Sequence, residues 1–136
     1  MDQAQQSLVR ASFAKVSGAP AVAAAMFYGR LFEIDPELRP LFRGDLEAQG
    51  LLLMTMLGTA VDNLHQLDQI LPAVRELGQR HAAYGVTEAD YDTVATALLW
   101  TLEQALAADF TPGVRDAWTT CYQTLTTEMK AAAAGR

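Results

Sequence analysis

The sequence predicts an all-α domain, and three observations carry that prediction. Apolar residues recur at the helical period through nearly every segment. No stretch shows the strict alternation of a half-buried strand. The prolines fall at predicted helix starts or between helices. At 136 residues, 51% of them hydrophobic, the chain is read as one domain over 1–136 with enough length to bury a sizeable core.

Leu8, Ser12, Phe13 and Val16 give a first short helix that ends near Gly18. Pro20 stands just inside the start of the second, where its missing N–H costs nothing. That helix runs through Val22, Met26, Phe27, Leu31 and Phe32 to about Ile34, and Pro36 ends it. Pro36 to Phe42 holds a second proline, so it is a short turn of helix or a bend, with Phe42 thrown inward at its end. Arg43-Gly44-Asp45 is a loop, and Asp45 caps the next helix. From Leu46 to about Leu64 apolar residues surround most of the helix, which predicts packing on most sides. Gly50 and Gly58 each cost that helix about 1 kcal/mol relative to alanine, a cost that close approach by a crossing helix would offset.

A corner at His65 to Asp68 leads into a helix in which Ile70, Val74, Leu77 and His81 recur at steps of four, three and four, the inward stripe. Pro72 is tolerable there only in the first turn, and Gly85 stops the helix by taking the left-handed conformation. Thr87 and Asp90 form a capping-box-like start for a helix with Tyr91, Val94, Leu98, Leu102 and Leu106 on one stripe. Thr111-Pro112 opens the last helix, whose stripe is Val114, Trp118, Cys121, Leu125 and Met129. Ala131 to Arg136 reads as a fraying tail. No linker or internal repeat appears.

Composition excludes several functions. The longest apolar runs fall far short of a membrane span, and the first residues lack the positive start and apolar core of a secretory signal. A single cysteine, Cys121, permits no internal disulfide and suits a reducing, cytoplasmic setting. A net charge of −6 with no offsetting basic cluster repels phosphate backbones, so neither nucleic acid nor membrane is an expected partner. There is no zinc-type Cys/His cluster and no glycine-rich phosphate loop, and two histidines are too few for a hydrolytic triad beside any other role.

What remains is His81, an ionisable imidazole among aliphatics in the last turn of its helix. Two readings stand at this point. Either both ring nitrogens find backbone or water partners in an ordinary core, or a free nitrogen binds a metal, for which neutral imidazole is the commonest ligand.

Several motifs bear on that choice. Phe27-Tyr28-Gly29-Arg30-Leu31-Phe32 followed by Asp35-Pro36-Glu37-Leu38-Arg39-Pro40-Leu41-Phe42, then Leu71-Pro72-Ala73-Val74 with His81 nine positions after that proline, then Gly85-Val86, resemble bacterial single-domain haemoglobins and the haem domain of flavohaemoglobins. The chain is also similar to neuroglobin, and Asp109-Phe110-Thr111-Pro112 with Ala117-Trp118 looks like the start of the last globin helix. The resemblance covers essentially the whole chain. It implies the globin fold, a three-over-three helical sandwich around haem b, with His81 as the proximal iron ligand. It implies that Phe42 stacks on the haem and that Leu53, Leu77, Val86, Tyr91, Val94 and Leu98 complete the pocket. Counting back from His81 without a gap puts Gln49 at the distal polar position and Leu53 one turn beyond. Gapless alignment of the second helix puts Tyr28 at the other distal position.

A tyrosine hydroxyl and a glutamine amide both donate hydrogen bonds to bound dioxygen. A solvated Gln49 and a core-packed Tyr28 are the plainer alternatives. His65 lies sixteen residues after Gln49, about 24 Å along a straight helix, and cannot serve as a second iron ligand. In ferric protein a tyrosinate or other endogenous sixth ligand stays open.

The chain departs from its relatives in three places. Tyr91 matches a tyrosine that joins a glutamate beside the histidine in flavohaemoglobins, but Ala133 stands at the glutamate position, which weakens the electron push of the histidine. Leu52 stands where relatives often carry a cation for a haem propionate; Arg80 or Arg43 is a candidate substitute, each more simply a solvated side chain. The chain also stops where a reductase domain would begin, so turnover would need an external reductase. The implied function is reversible dioxygen binding for storage, transport or protection, with nitric oxide and carbon monoxide as further gas partners. The alternative is nitric oxide dioxygenation with a separate reductase. A sensor would need an output domain.

Overall fold

The computed structural model describes residues 1–42 and 44–135. Six α-helices and three short 3-10 turns follow one another, with no strand among these residues. They are α1 (Gln3–Val16), α2 (Pro20–Ile34), a 3-10 turn Pro36–Leu41, α3 (Leu46–Asp62), a 3-10 turn Leu64–Gln69, α4 (Leu71–Ala83), α5 (Glu88–Leu106), a 3-10 turn Ala107–Asp109, and α6 (Pro112–Gly135).

Local chemistry sets most of these boundaries. Pro20, Pro72 and Pro112 all lie in first turns, where no intrahelical N–H is lost. Asp45 accepts from the Glu47 N–H at 3.0 Å and opens α3. The Thr87 and Asp90 box closes in both directions, at 2.9 and 3.3 Å. Thr111 Oγ1 accepts from the Val114 N–H at 3.2 Å at the start of α6. Gly85, at φ +94°, ends the chain's run through α4.

The main core joins α1, α2, α3, α5 and α6. Val9 and Ala117 are fully enclosed and Leu102 nearly so. Trp118, 2% exposed, donates its indole N–H to Ser12 Oγ at 2.8 Å, and that hydroxyl donates onward to the Leu8 carbonyl at 2.6 Å. The polar groups of this region are thus paired where they are buried. A second cluster forms around Phe27, Tyr28, Leu31, Leu38 and Ala97, and Leu98 packs on both.

Two glycines permit the close crossings. A Cβ on Gly50 would stand 2.6 Å from the Ala24 Cβ, so α2 and α3 meet backbone to side chain. A Cβ on Gly78 would stand 2.6 Å from the Met129 Cα, so α4 lies directly on the α6 backbone. Gly58 differs from the expectation. A Cβ there would meet only the Phe13 ring, at an ordinary 3.5 Å, so no close approach explains it.

Two further expectations are corrected. Although α3 is apolar around most of its surface, it is not packed on most sides: Leu51, Leu52 and Met56 are exposed, and its main contacts among the described residues are with α2, α1 and the following 3-10 turn. The alanine tail does not fray, since α6 continues through Gly135, as alanine's high helix propensity allows. Arg136 lies outside the described residues.

Candidate functional site

Helix α4 carries the clearest amphipathic stripe, yet Gly78 is its only buried residue. Gly78 faces α6, while Ile70, Val74, Leu77 and His81 are only half-buried. The stripe is only partly covered: α4 packs chiefly on α6 and on the 3-10 turn Leu64–Gln69, with no substantial contact to α3 among the described residues. The His81 face of α4 is therefore left partly open. The turn Leu64–Gln69 touches both α3 and α4. The Leu41 side chain comes within 4.0 Å of the position a Cβ on Gly85 would take.

His81 presents the chemistry of this face. Its Nδ1 lies 2.9 Å from the Leu77 carbonyl oxygen. A carbonyl only accepts, so Nδ1 carries the proton and Nε2 keeps its lone pair. Nε2 makes no hydrogen bond among the described residues. Burial lowers the imidazole pKa, and the bond to Leu77 opposes that shift more weakly, so the ring is held neutral. Neutral imidazole with a fixed tautomer and an open Nε2 is a ligand prepared for a metal. Tyr91, on α5, stacks with this ring at 6.3 Å between centroids and 20° between planes. The Tyr122 hydroxyl donates to the Tyr91 carbonyl at 2.6 Å and ties α6 to this spot.

Aromatic rings form the second part of the candidate site. Phe42 lies edge-on to Tyr28 at 5.2 Å and to Phe32 at 5.5 Å, while Tyr28 stacks on Phe32 at 6.0 Å. Tyr28 is 7% exposed, and its phenol has no hydrogen-bond partner among the described residues. Burial raises its pKa, keeping the proton in place for donation. Its ring also packs on α3, where a Cβ on Gly50 would stand 3.6 Å from Cε2.

Of the residues singled out from the sequence, Tyr28, Phe42, Leu53, Val94 and Leu98 share one apolar cluster. His81 and Tyr91 meet as stacked rings, with Leu77 as acceptor for the imidazole and the Val86 N–H donating to the His81 carbonyl at 3.0 Å. Gln49 is half-buried on α3, immediately before the Gly50 crossing. His65 is engaged elsewhere, with Nδ1 3.2 Å from Arg10 of α1. Arg80 pairs with Glu76 at 2.6 Å on the surface, the plainer of its two readings, and Arg43 lies outside the described residues.

Three contacts had no signal in the sequence. Arg39 donates to the Phe42 carbonyl at 2.8 Å, with its guanidinium 5.6 Å from the Phe32 ring centre, and so holds the corner. Leu41 reaches across to Gly85. Lys130 stands over Tyr91.

The chain matches the globin family model over residues 25–129. This protein is a globin. The match runs from within α2 to all but the last residues of α6, and the all-helical fold agrees with it. Globins bind haem and, through it, gaseous ligands, so haem-based gas binding is the general activity of this one.

The residues of the candidate site suit that group. No cluster of three or more His, Cys, Asp or Glu among the described residues could hold a bare metal ion. A lone axial imidazole suits a metal whose other ligands come with it. His81 offers such an imidazole from α4, and the aromatic cluster of Tyr28, Phe32 and Phe42 offers flat apolar surface and a phenol without a protein partner among the described residues. No helix of the described residues is long and apolar enough to cross a membrane.

Proposed function

We propose that this globin reversibly binds dioxygen at ferrous haem b held by His81, in the manner of the bacterial single-domain haemoglobins that its second helix and corner resemble. The observation that carries this reading is the pair of unspent groups: the His81 Nε2 lone pair and the nearly buried Tyr28 phenol. In a fold that pairs Trp118 with Ser12, both groups are left without a protein partner among the described residues and both remain reachable from outside, so a ligand can take them up without breaking a bond within the protein.

Each residue then has a task. His81 coordinates through Nε2, and its Nδ1–H donor to Leu77 fixes tautomer and ring angle. Leu53, Leu77, Val86, Val94 and Leu98 exclude water, and Phe42, held by Arg39, supplies a flat aromatic contact. Haem iron, when bound, supplies the open coordination position for a diatomic gas. Tyr28 donates a hydrogen bond toward that position, with the Gln49 amide as a second donor. With His65 turned to Arg10, the sixth position is left to the gas.

Replacing Tyr28 by Phe tests this. Dioxygen dissociation measured by flash photolysis should accelerate while carbon monoxide binding changes little, because carbon monoxide accepts hydrogen bonds weakly. An unchanged dioxygen rate would remove Tyr28 from the site.

Nitric oxide dioxygenation, fed by a separate reductase, uses the same distal donors. What favours simple binding is the proximal side, where Ala133 replaces the carboxylate that would enrich the histidine. Repeated turnover of nitric oxide with a supplied reductase would reverse that order.

A further inference from the structure

We propose that Lys130 is a positioning residue that biases the proximal side toward the ferrous state, by holding a cation against Tyr91 where a carboxylate would do the opposite. This rests on the reading of His81 as the axial ligand.

Lys130 and Ala133 share a face of α6, three residues apart. The Lys130 Nζ stands 5.3 Å from the centre of the Tyr91 ring, within the range of a cation–π contact. Tyr91 is 7% exposed and stacks on His81, so one ring is in contact with both the cation and the imidazole. Tyr122 holds the Tyr91 backbone in place from the same helix that carries Lys130.

A positive charge here opposes any drift of the imidazole toward imidazolate and disfavours the higher charge of ferric iron. Lys130 makes no ion pair among the described residues that would cancel it. Asp92 is the acidic group nearest in role: it lines the same cavity of about 200 Å³ between α5 and α6 as Lys130. Its charge therefore partly offsets the effect, and salt reaching the cavity screens it.

Resonance Raman of the ferrous, ligand-free holoprotein and potentiometry of the same samples test this. Lys130→Met keeps the aliphatic stem and removes the charge. It should raise the iron–histidine stretching frequency and shift the ferric-to-ferrous ratio at fixed potential about threefold toward ferric. Lys130→Arg should reproduce the wild type, Asp92→Asn should move both readouts the other way, and all differences should shrink at high salt. Independently of haem, the Lys130 ε-methylene protons of the apoprotein should be shifted upfield by the Tyr91 ring in NMR spectra and lose that shift in Tyr91→Leu. The inference is overturned if Lys130→Met coincides with wild type in stretch and midpoint, if Lys130→Arg moves as far as Lys130→Met, or if the NMR shift is absent. A wild type with no iron–histidine band sinks the assignment of His81 instead.

Discussion

Trp118 and His81 are both nitrogen-bearing rings on the inward stripe of a helix, and they end in opposite circumstances. Trp118 sits 2% exposed in the core of α1, α5 and α6, its single donor taken by Ser12 and Ser12's own donor taken by the Leu8 carbonyl. His81 sits half-buried on α4 with one nitrogen satisfied and the other without a protein partner among the described residues. The same contrast holds between Ser12, bonded to its own helix, and Tyr28, whose ring is buried while its hydroxyl, reachable from outside, has no protein partner among the described residues. Polar groups that the protein completes by itself serve the fold; those it leaves open are where the proposed ligand would be taken up.

The largest effect expected from breaking this contrast is at His81. His81→Ala should abolish axial coordination and reduce haem retention by orders of magnitude, read from the Soret band after gel filtration, while far-ultraviolet circular dichroism of the apoprotein stays helical. Loss of helix content would make His81 a core residue after all. Next comes Gly78→Val, which forces a side chain against the Met129 backbone and should cost about 3 kcal/mol in urea unfolding. An undiminished midpoint would mean that α4 and α6 are not in such close contact. Trp118→Phe strips the core of its indole donor and some area, and should cost about 2 kcal/mol by the same measurement, with the haem spectrum unaltered.

Tyr28→Phe inverts that pattern. Stability should change by less than about 0.5 kcal/mol, since no protein acceptor is lost. Dioxygen should dissociate about tenfold faster, the equivalent of about 1.4 kcal/mol. The smallest effect concerns Cys121, which is 3% exposed and whose thiol is pushed up to about 11 by burial. Its folded pKa lies above the ordinary 9.0, so the stability it contributes is complete below pH 9.0 and is lost as pH rises toward about 11. At pH 8 iodoacetamide should label it only in denaturant. Rapid labelling of native protein would place Cys121 outside the core.

Much of the fold was legible because helix ends advertise themselves locally. Asp45, the Thr87 and Asp90 pair, Thr111-Pro112 and Gly85 each do what their residue types predict. The start of α1 at Gln3, with Asp2 and Gln5 closing a capping box, passed unnoticed because no apolar period precedes Leu8. The end of α5 was equally silent, since Ala107 takes φ +50° where a glycine would have signalled the turn. For the site, the position of His81 on its stripe was readable, but how little of that stripe the other helices cover was not. A stripe such as Val74, Leu77 and His81 looks the same in sequence whether or not a helix covers it, and its half-buried state is visible only in the fold. Contacts between distant segments, such as Lys130 with Tyr91 or Leu41 with Gly85, have no local sequence signature at all.

Absorption spectra of the haem-reconstituted protein, taken ferrous without ligand and then under carbon monoxide, bear on the central claim most directly. The account predicts a five-coordinate, histidine-ligated ferrous spectrum that converts fully to a six-coordinate carbonyl form, with both signatures gone in His81→Ala. A ferrous spectrum already six-coordinate before gas is added, or one that His81→Ala leaves intact, would contradict it.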